Sequence, residues 1–131
     1  MESILRLVAF VGALVHVGFF YKEAIRWDVP FVKKAAPSWI AAAGGEAAAK
    51  PYVNWAKSLA INVGTYNLAL AFGLAWLAIG GADVAGTLGI FLSIWLLAAA
   101  GAAYYTKVKL AFYGQGALGV VLLIAAFATR H

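Results

Sequence analysis

"AINVGTYNLALAFGLAW", residues 60–76, is apolar enough for the interior of a bilayer, yet Asn62, Thr65, Tyr66 and Asn67 crowd its first half. A helix in hydrocarbon satisfies its own backbone, but each polar side chain on it needs a partner or an escape to the interface. Whether this stretch is a membrane span decides the fold, and the rest of the chain answers that. Of its 131 residues, 65% are hydrophobic and 11% charged. Soluble domains carry about a quarter charged residues, so the balance points to a membrane protein.

Four apolar runs follow, over about residues 4–21, 55–79, 84–105 and 108–129. Each approaches the ~20 residues that cross ~30 Å of hydrocarbon as a helix. The first contains Arg6 and His16 but is too long for a signal peptide, and its Ala-rich mimic of a cleavage site lies far downstream, at 41–49. The expected fold is therefore all-α: an integral membrane four-helix bundle, with residues 1–131 forming a single four-span domain. "GGAD" at 80–83 and the region of Lys107 are tight turns. The connection over 24–54 is long and broken by Pro30, Pro37, Gly44, Gly45 and Pro51. Within it, "FVKKAAPSWIAAA" (31–43) has the composition of a loop or of a helix lying on the membrane surface.

Orientation comes from the basic residues. Lys22, Arg26, Lys33, Lys34, Lys50, Lys57, Lys107 and Lys109 flank the first and third connections, against Arg6 and Arg130 on the other side. The positive-inside rule then puts both termini outside the cytoplasm, in a plasma or inner membrane. The net charge of +5 is accounted for by these flanks, which excludes a nucleic-acid surface as its reason. The chain has no cysteine, so disulfides, thiolate metal sites and cysteine nucleophiles are excluded. Two histidines do not make a metal site, no phosphate loop or hydrolase elbow is present, and no cofactor is indicated.

In that topology the polar residues of all four spans share one leaflet. Glu23 ends the first helix; Asn62, Thr65, Tyr66 and Asn67 enter the second; Tyr104 and Tyr105 close the third; Tyr113 and Gln115 open the fourth. His16, Phe20, Glu23 and Trp27 follow an i, i+4, i+7, i+11 stripe, and Ser58, Asn62, Thr65, Tyr66, Ala69 and Gly73 form another. An unpaired acid in lipid costs a few kcal/mol, so Glu23 is expected either to face the bundle and meet Asn62, Tyr66 or Gln115, or to snorkel to the interface and pair with Lys22 or Arg26. Asn67, about 100° around the helix from Tyr66, reads either as glue between helices or as serving a different neighbour. His16 alone reads as a packing residue and Trp27, Trp39 and Trp55 as an interfacial belt. The many glycines, Gly64 and Gly73 among them, read as close helix contacts.

"YKEAIRW" (21–27), "INVGTYNLALAFGLAW" (61–76) and "YGQGALGV" (113–120) together resemble a family of small four-span membrane proteins known as domain of unknown function thirteen-oh-four. The matching positions are Glu23 and Trp27, then Asn62, Gly64, Tyr66 and Asn67, then Gln115. The chain departs from that family at Val63, where glutamine is usual, and after Gln115, where a proline is usual. The resemblance implies the fold and a polar cluster but no reaction.

Three functions fit this pattern. Glu23, Asn62, Tyr66, Asn67 and Gln115 would bind or transport a small apolar or amphiphilic ligand, with Glu23 as proton carrier. Alternatively, the chain is an accessory subunit packing on a larger membrane complex or on its own copies. In the third, Glu23 is the general acid of an enzyme acting on a lipid-like substrate. Polar stripes facing inward favour the first and third; stripes facing outward favour the second.

Overall fold

A computed structural model describes residues 2–26, 36–106 and 108–129. Every described element is helical: α1 (Glu2–Phe20), continued by a π-helical turn (Tyr21–Ile25), α2 (Ala36–Ala43), α3 (Glu46–Ile79), α4 (Ala82–Tyr105) and α5 (Lys109–Ala128). Four segments are long and apolar enough to span a bilayer: Glu2–Ile25, Glu46–Ile79, Val84–Tyr105 and Lys109–Ala128. Trp27, Lys107, Arg130 and His131 lie outside the described residues, as does the whole "FVKK" stretch (31–34); Trp39 lies on α2 with its side chain undescribed.

The second span begins earlier than its hydropathy indicates. α3 starts at Glu46, not near Trp55, and carries Pro51 inside it. Proline here removes a single hydrogen bond, to the Ala47 carbonyl, at an exposed helix start where water replaces it. At 1.5 Å per residue the 34 residues of α3 extend about 51 Å, well beyond ~30 Å of hydrocarbon. Its first turns, with exposed Lys50, Tyr52, Trp55 and Lys57, have the composition of an interface. α2 joins α3 through Gly44 and Gly45, at φ 87° and 123°, values that side chains disfavour. The 36–43 stretch, open between loop and surface helix in the sequence, is thus helical.

The chain packs as two units. One holds residues 1–14 and 70–131. Its core is built from helical stripes: Leu5, Ala9 and Ala13 of α1; Leu74 and Leu77 of α3; Ala85, Leu92 and Leu96 of α4; Leu122, Ala125 and Ala126 of α5. Leucine and alanine make up this core: lipid tails are as apolar as leucine, so helices associate through close packing more than through water exclusion. α4 and α5 run antiparallel: Gly89 faces Ala126, Gly119 faces Leu96 and Leu97, and the rings of Tyr104 and Phe112 stand 5.4 Å apart. Arg6 pairs with Glu2 at 2.7 Å and donates to the Ala78 carbonyl at 3.3 Å, capping the C-terminal end of α3. Ser93, fully buried, donates to the Gly89 carbonyl of its own helix at 2.6 Å.

The second unit holds residues 15–69: the end of α1 with its π turn, α2, and the first part of α3. The end of α1 and α3 also run antiparallel, since Ala24 meets Gly64 while His16 meets Asn67.

The glycine contacts differ in how far they can yield. A Cβ on Gly73 would meet the flexible tip of Leu92 at 3.0 Å, whereas one on Gly89 would meet the Ala126 Cβ at 2.8 Å, an atom fixed to the backbone. Gly89→Ala is therefore expected to cost about 1–3 kcal/mol of stability, the range of overpacking. Gly73→Ala should cost less than half as much. Thermal unfolding of the two variants in detergent checks the order.

Candidate functional site

Gly64 is where the second unit closes. A Cβ there would lie 3.0 Å from the Ala24 Cβ, 3.1 Å from the Ala24 nitrogen and 3.3 Å from the Glu23 Cβ. Only a glycine lets the backbone of the π turn come this near. Asn67, three residues on, lies about 60° from Gly64 around the helix and so also faces α1. Its Nδ2 donates to Glu23 Oε2 at 2.7 Å. Its Oδ1 lies 3.0 Å from His16 Nδ1. One amide thus bridges an acid and an imidazole within the span.

The π turn places Glu23 locally. The Arg26 N–H reaches back five residues to the Tyr21 carbonyl at 2.8 Å, a wider coil than the α-helix before it. Such turns are uncommon and recur at functional positions. Glu23 is half-buried, whereas His16 has no exposed surface and Asn67 is 9% exposed. The His16 ring stands edge-on to Phe19, centroids 5.6 Å apart.

Donor and acceptor rules orient the chain. Asn67 turns its NH2 toward Glu23, whose carboxyl oxygen accepts, and its carbonyl toward His16. The carbonyl only accepts, so His16 Nδ1 carries the hydrogen it receives. The remaining ring nitrogen, Nε2, is the one buried side-chain nitrogen or oxygen without a hydrogen-bond partner among the described residues.

The sequence-derived candidates are distributed unevenly. Glu23 and Asn67 are joined directly. Asn62 and Tyr66 are not part of that contact: both are exposed, Tyr66 at 64%, and neither hydrogen-bonds Glu23. Each lies about 200° from Gly64, on the side of α3 turned away from the approach to α1. Glu23 therefore meets Asn67, not Asn62 or Tyr66, and the Ser58–Asn62–Tyr66 stripe faces outward. Thr65, also exposed, donates to the Ile61 carbonyl at 2.9 Å, and Ser58 to the Asn54 carbonyl. Gln115 is buried in the other unit. His16 joins the chain although the sequence marks it as packing; its signal is the seven-residue spacing to Glu23, two turns along one face. Trp27, the other acid-linked position, is outside the described residues.

Elsewhere in the second unit, Ala42, Ala43, Ala49, Tyr52, Val53 and Trp55 border an open apolar groove of about 360 Å³. It shares no residue with the Glu23–Asn67–His16 chain. Among the described residues no three His, Asp or Glu side chains gather closely enough to hold a metal ion.

Four apolar spans, helical throughout their described residues and carrying one bridged polar chain, define a small helical integral membrane protein. Within that class the chain belongs to the family described as protein of unknown function (DUF1304), whose model matches residues 10–127. No curated protein and no solved structure matches it. Of the family-like positions, Glu23, Gly64 and Asn67 meet in this one contact.

The geometry separates the two asparagines. Glu23→Ala and Asn67→Ala should be non-additive, with a coupling of about 0.5–2 kcal/mol, while Glu23→Ala and Asn62→Ala should add. Double-mutant cycles on thermal stability in detergent measure both. Coupling to Asn62 equal to that for Asn67 would refute the assignment.

Proposed function

We propose that this protein binds a small amphiphilic molecule within the bilayer, and that the Glu23–Asn67–His16 chain holds the molecule's polar group. The observation that carries the reading is His16: a fully buried imidazole held through Nδ1, with Nε2 unpartnered among the described residues. An unmet polar atom in such a place costs about 1–3 kcal/mol, and native structures hold few of them. A ligand that supplies the missing partner recovers that energy. His16 is shielded on all sides, so side chains such as Phe19 must part to admit it.

A reaction has less support. The hydroxyls of Ser58 and Thr65 are engaged with backbone carbonyls of their own helix, so neither is presented to the imidazole as a nucleophile. The accessory-subunit reading has one observation in its favour: Asn62 and Tyr66 face outward from a membrane span, where another helix would satisfy them. Transport requires the ligand to leave on the opposite face, and the bound state is its first step.

The test is a thermal-shift screen of amphiphiles on the purified protein. A ligand at a hundred times its Kd stabilises by about 2.7 kcal/mol, and this gain should vanish in His16→Phe and Asn67→Ala. A ligand that stabilises those variants as strongly as the wild type would place binding elsewhere.

We further propose that residues 24–54 face the cytoplasm, on the weight of the basic flanks. A lone cysteine at Ala47, exposed near the start of α3, should be labelled by impermeant maleimide only after the cells are opened. Labelling of intact cells would invert the topology.

A further inference from the structure

The polarity of the ligand can be read from the same chain, taking the binding role proposed above as given. Glu23, Asn67 and His16 form a directional series in which each group leaves the next one role. The carboxylate takes hydrogen from Asn67 Nδ2 at 2.7 Å; the Asn67 carbonyl takes it from His16 Nδ1, 3.0 Å away. A neutral imidazole has one N–H and one lone pair, so fixing the hydrogen on Nδ1 leaves Nε2 as an acceptor. That nitrogen is fully buried and unpartnered among the described residues.

We infer that His16 Nε2 is the recognition atom of the site and takes a hydrogen-bond donor, so the ligand is an amphiphile carrying a hydroxyl, an alcohol or a phenol. A ketone, ester or ether of the same shape brings a second acceptor to the same lone pair and is rejected. Glu23 touches no ligand in this arrangement. It is a positioning residue that fixes the Asn67 amide and, through it, the histidine tautomer. Its role differs from the proton carrier that its place in the sequence suggests. Geometry gives the contact its rigidity: Gly64 brings the π turn within 3.1 Å of where a Cβ would lie, so the carboxylate is held against Asn67. In Glu23→Gln the side chain both donates and accepts. The Asn67 amide then has two orientations of similar energy, and both tautomers of His16 become available.

The experiment uses the full chain in phosphatidylcholine vesicles, with ring-¹⁵N histidine and His131→Ala to leave one imidazole. The probes are 1-dodecanol and dodecyl methyl ether, in which a methyl group replaces the hydroxyl hydrogen and removes the donor. The ¹⁵N spectrum should show His16 protonated at Nδ1 and bare at Nε2. The alcohol should shift the Nε2 signal and bind about tenfold more tightly than the ether, the scale of one buried hydrogen bond. Glu23→Gln should give a mixture of tautomers and reduce that preference to about twofold, with the fold retained.

A spectrum with the hydrogen on Nε2 would overturn the inference whatever binds. Equal response to alcohol and ether would overturn the donor assignment while leaving the binding role intact. No response to either probe, with the Nδ1–H tautomer present, would overturn the binding role and with it this inference. An unchanged tautomer in Glu23→Gln would show that Glu23 does not set it.

Discussion

An acid and an imidazole inside a membrane span must find partners there, because the surrounding hydrocarbon offers none. In this protein a single amide, Asn67, serves both. Much else in the second unit follows from that economy. Asn67 can reach Glu23 and His16 only if α3 lies almost against the end of α1, and the near approach is possible only at Gly64. Glycine and asparagine three residues apart therefore act as one device: the first admits the neighbouring backbone, the second ties it down. The wide π turn at the end of α1 belongs to the same device, since it carries the carboxylate that the amide meets.

The first unit solves a different problem with different means. Its buried polar side chains among the described residues are Ser93 and Gln115, and Ser93 satisfies itself within its own turn. Association there depends on fit. Gly89 against Ala126, and Gly119 against Leu96 and Leu97, leave no room for an added methyl without displacement. In a bilayer that fit replaces the water-exclusion term that stabilises a soluble core, which is why a core of alanine and leucine is enough. Large exposed side chains such as Phe72, Trp76, Ile94 and Ile124 are in this context lipid-facing surface.

The membrane spans were legible in the sequence because length and hydropathy are local properties, and the bilayer reads them without regard to packing. The start of α3 was not, since Pro51 looks like a breaker unless its position near an exposed helix start is known. The shared depth of Glu23 and the 62–67 cluster was legible too, from topology alone. Which member of the cluster Glu23 meets was not. Four polar residues in six cover most of the circumference of a helix, so their spacing leaves the inward face undecided. The deciding residue was the apolar one among them, Gly64, which marks the face that another helix can approach. His16 escaped notice for a related reason: an isolated histidine in an apolar run resembles packing until its partner is identified.

Val63 can be placed by the same reasoning. The family resembled by this chain usually has glutamine there, which raises the question of whether its loss removes part of the site. Position 63 lies one helical turn before Asn67, close enough for a glutamine amide to compete for it. Yet Val63 is 48% exposed, so a glutamine in its place would stand at the rim of the contact, outside the buried chain. Valine at this position leaves both polar ends of Asn67 to Glu23 and His16. The departure therefore removes a competitor from the edge and keeps the amide's orientation, on which the chemistry of His16 depends.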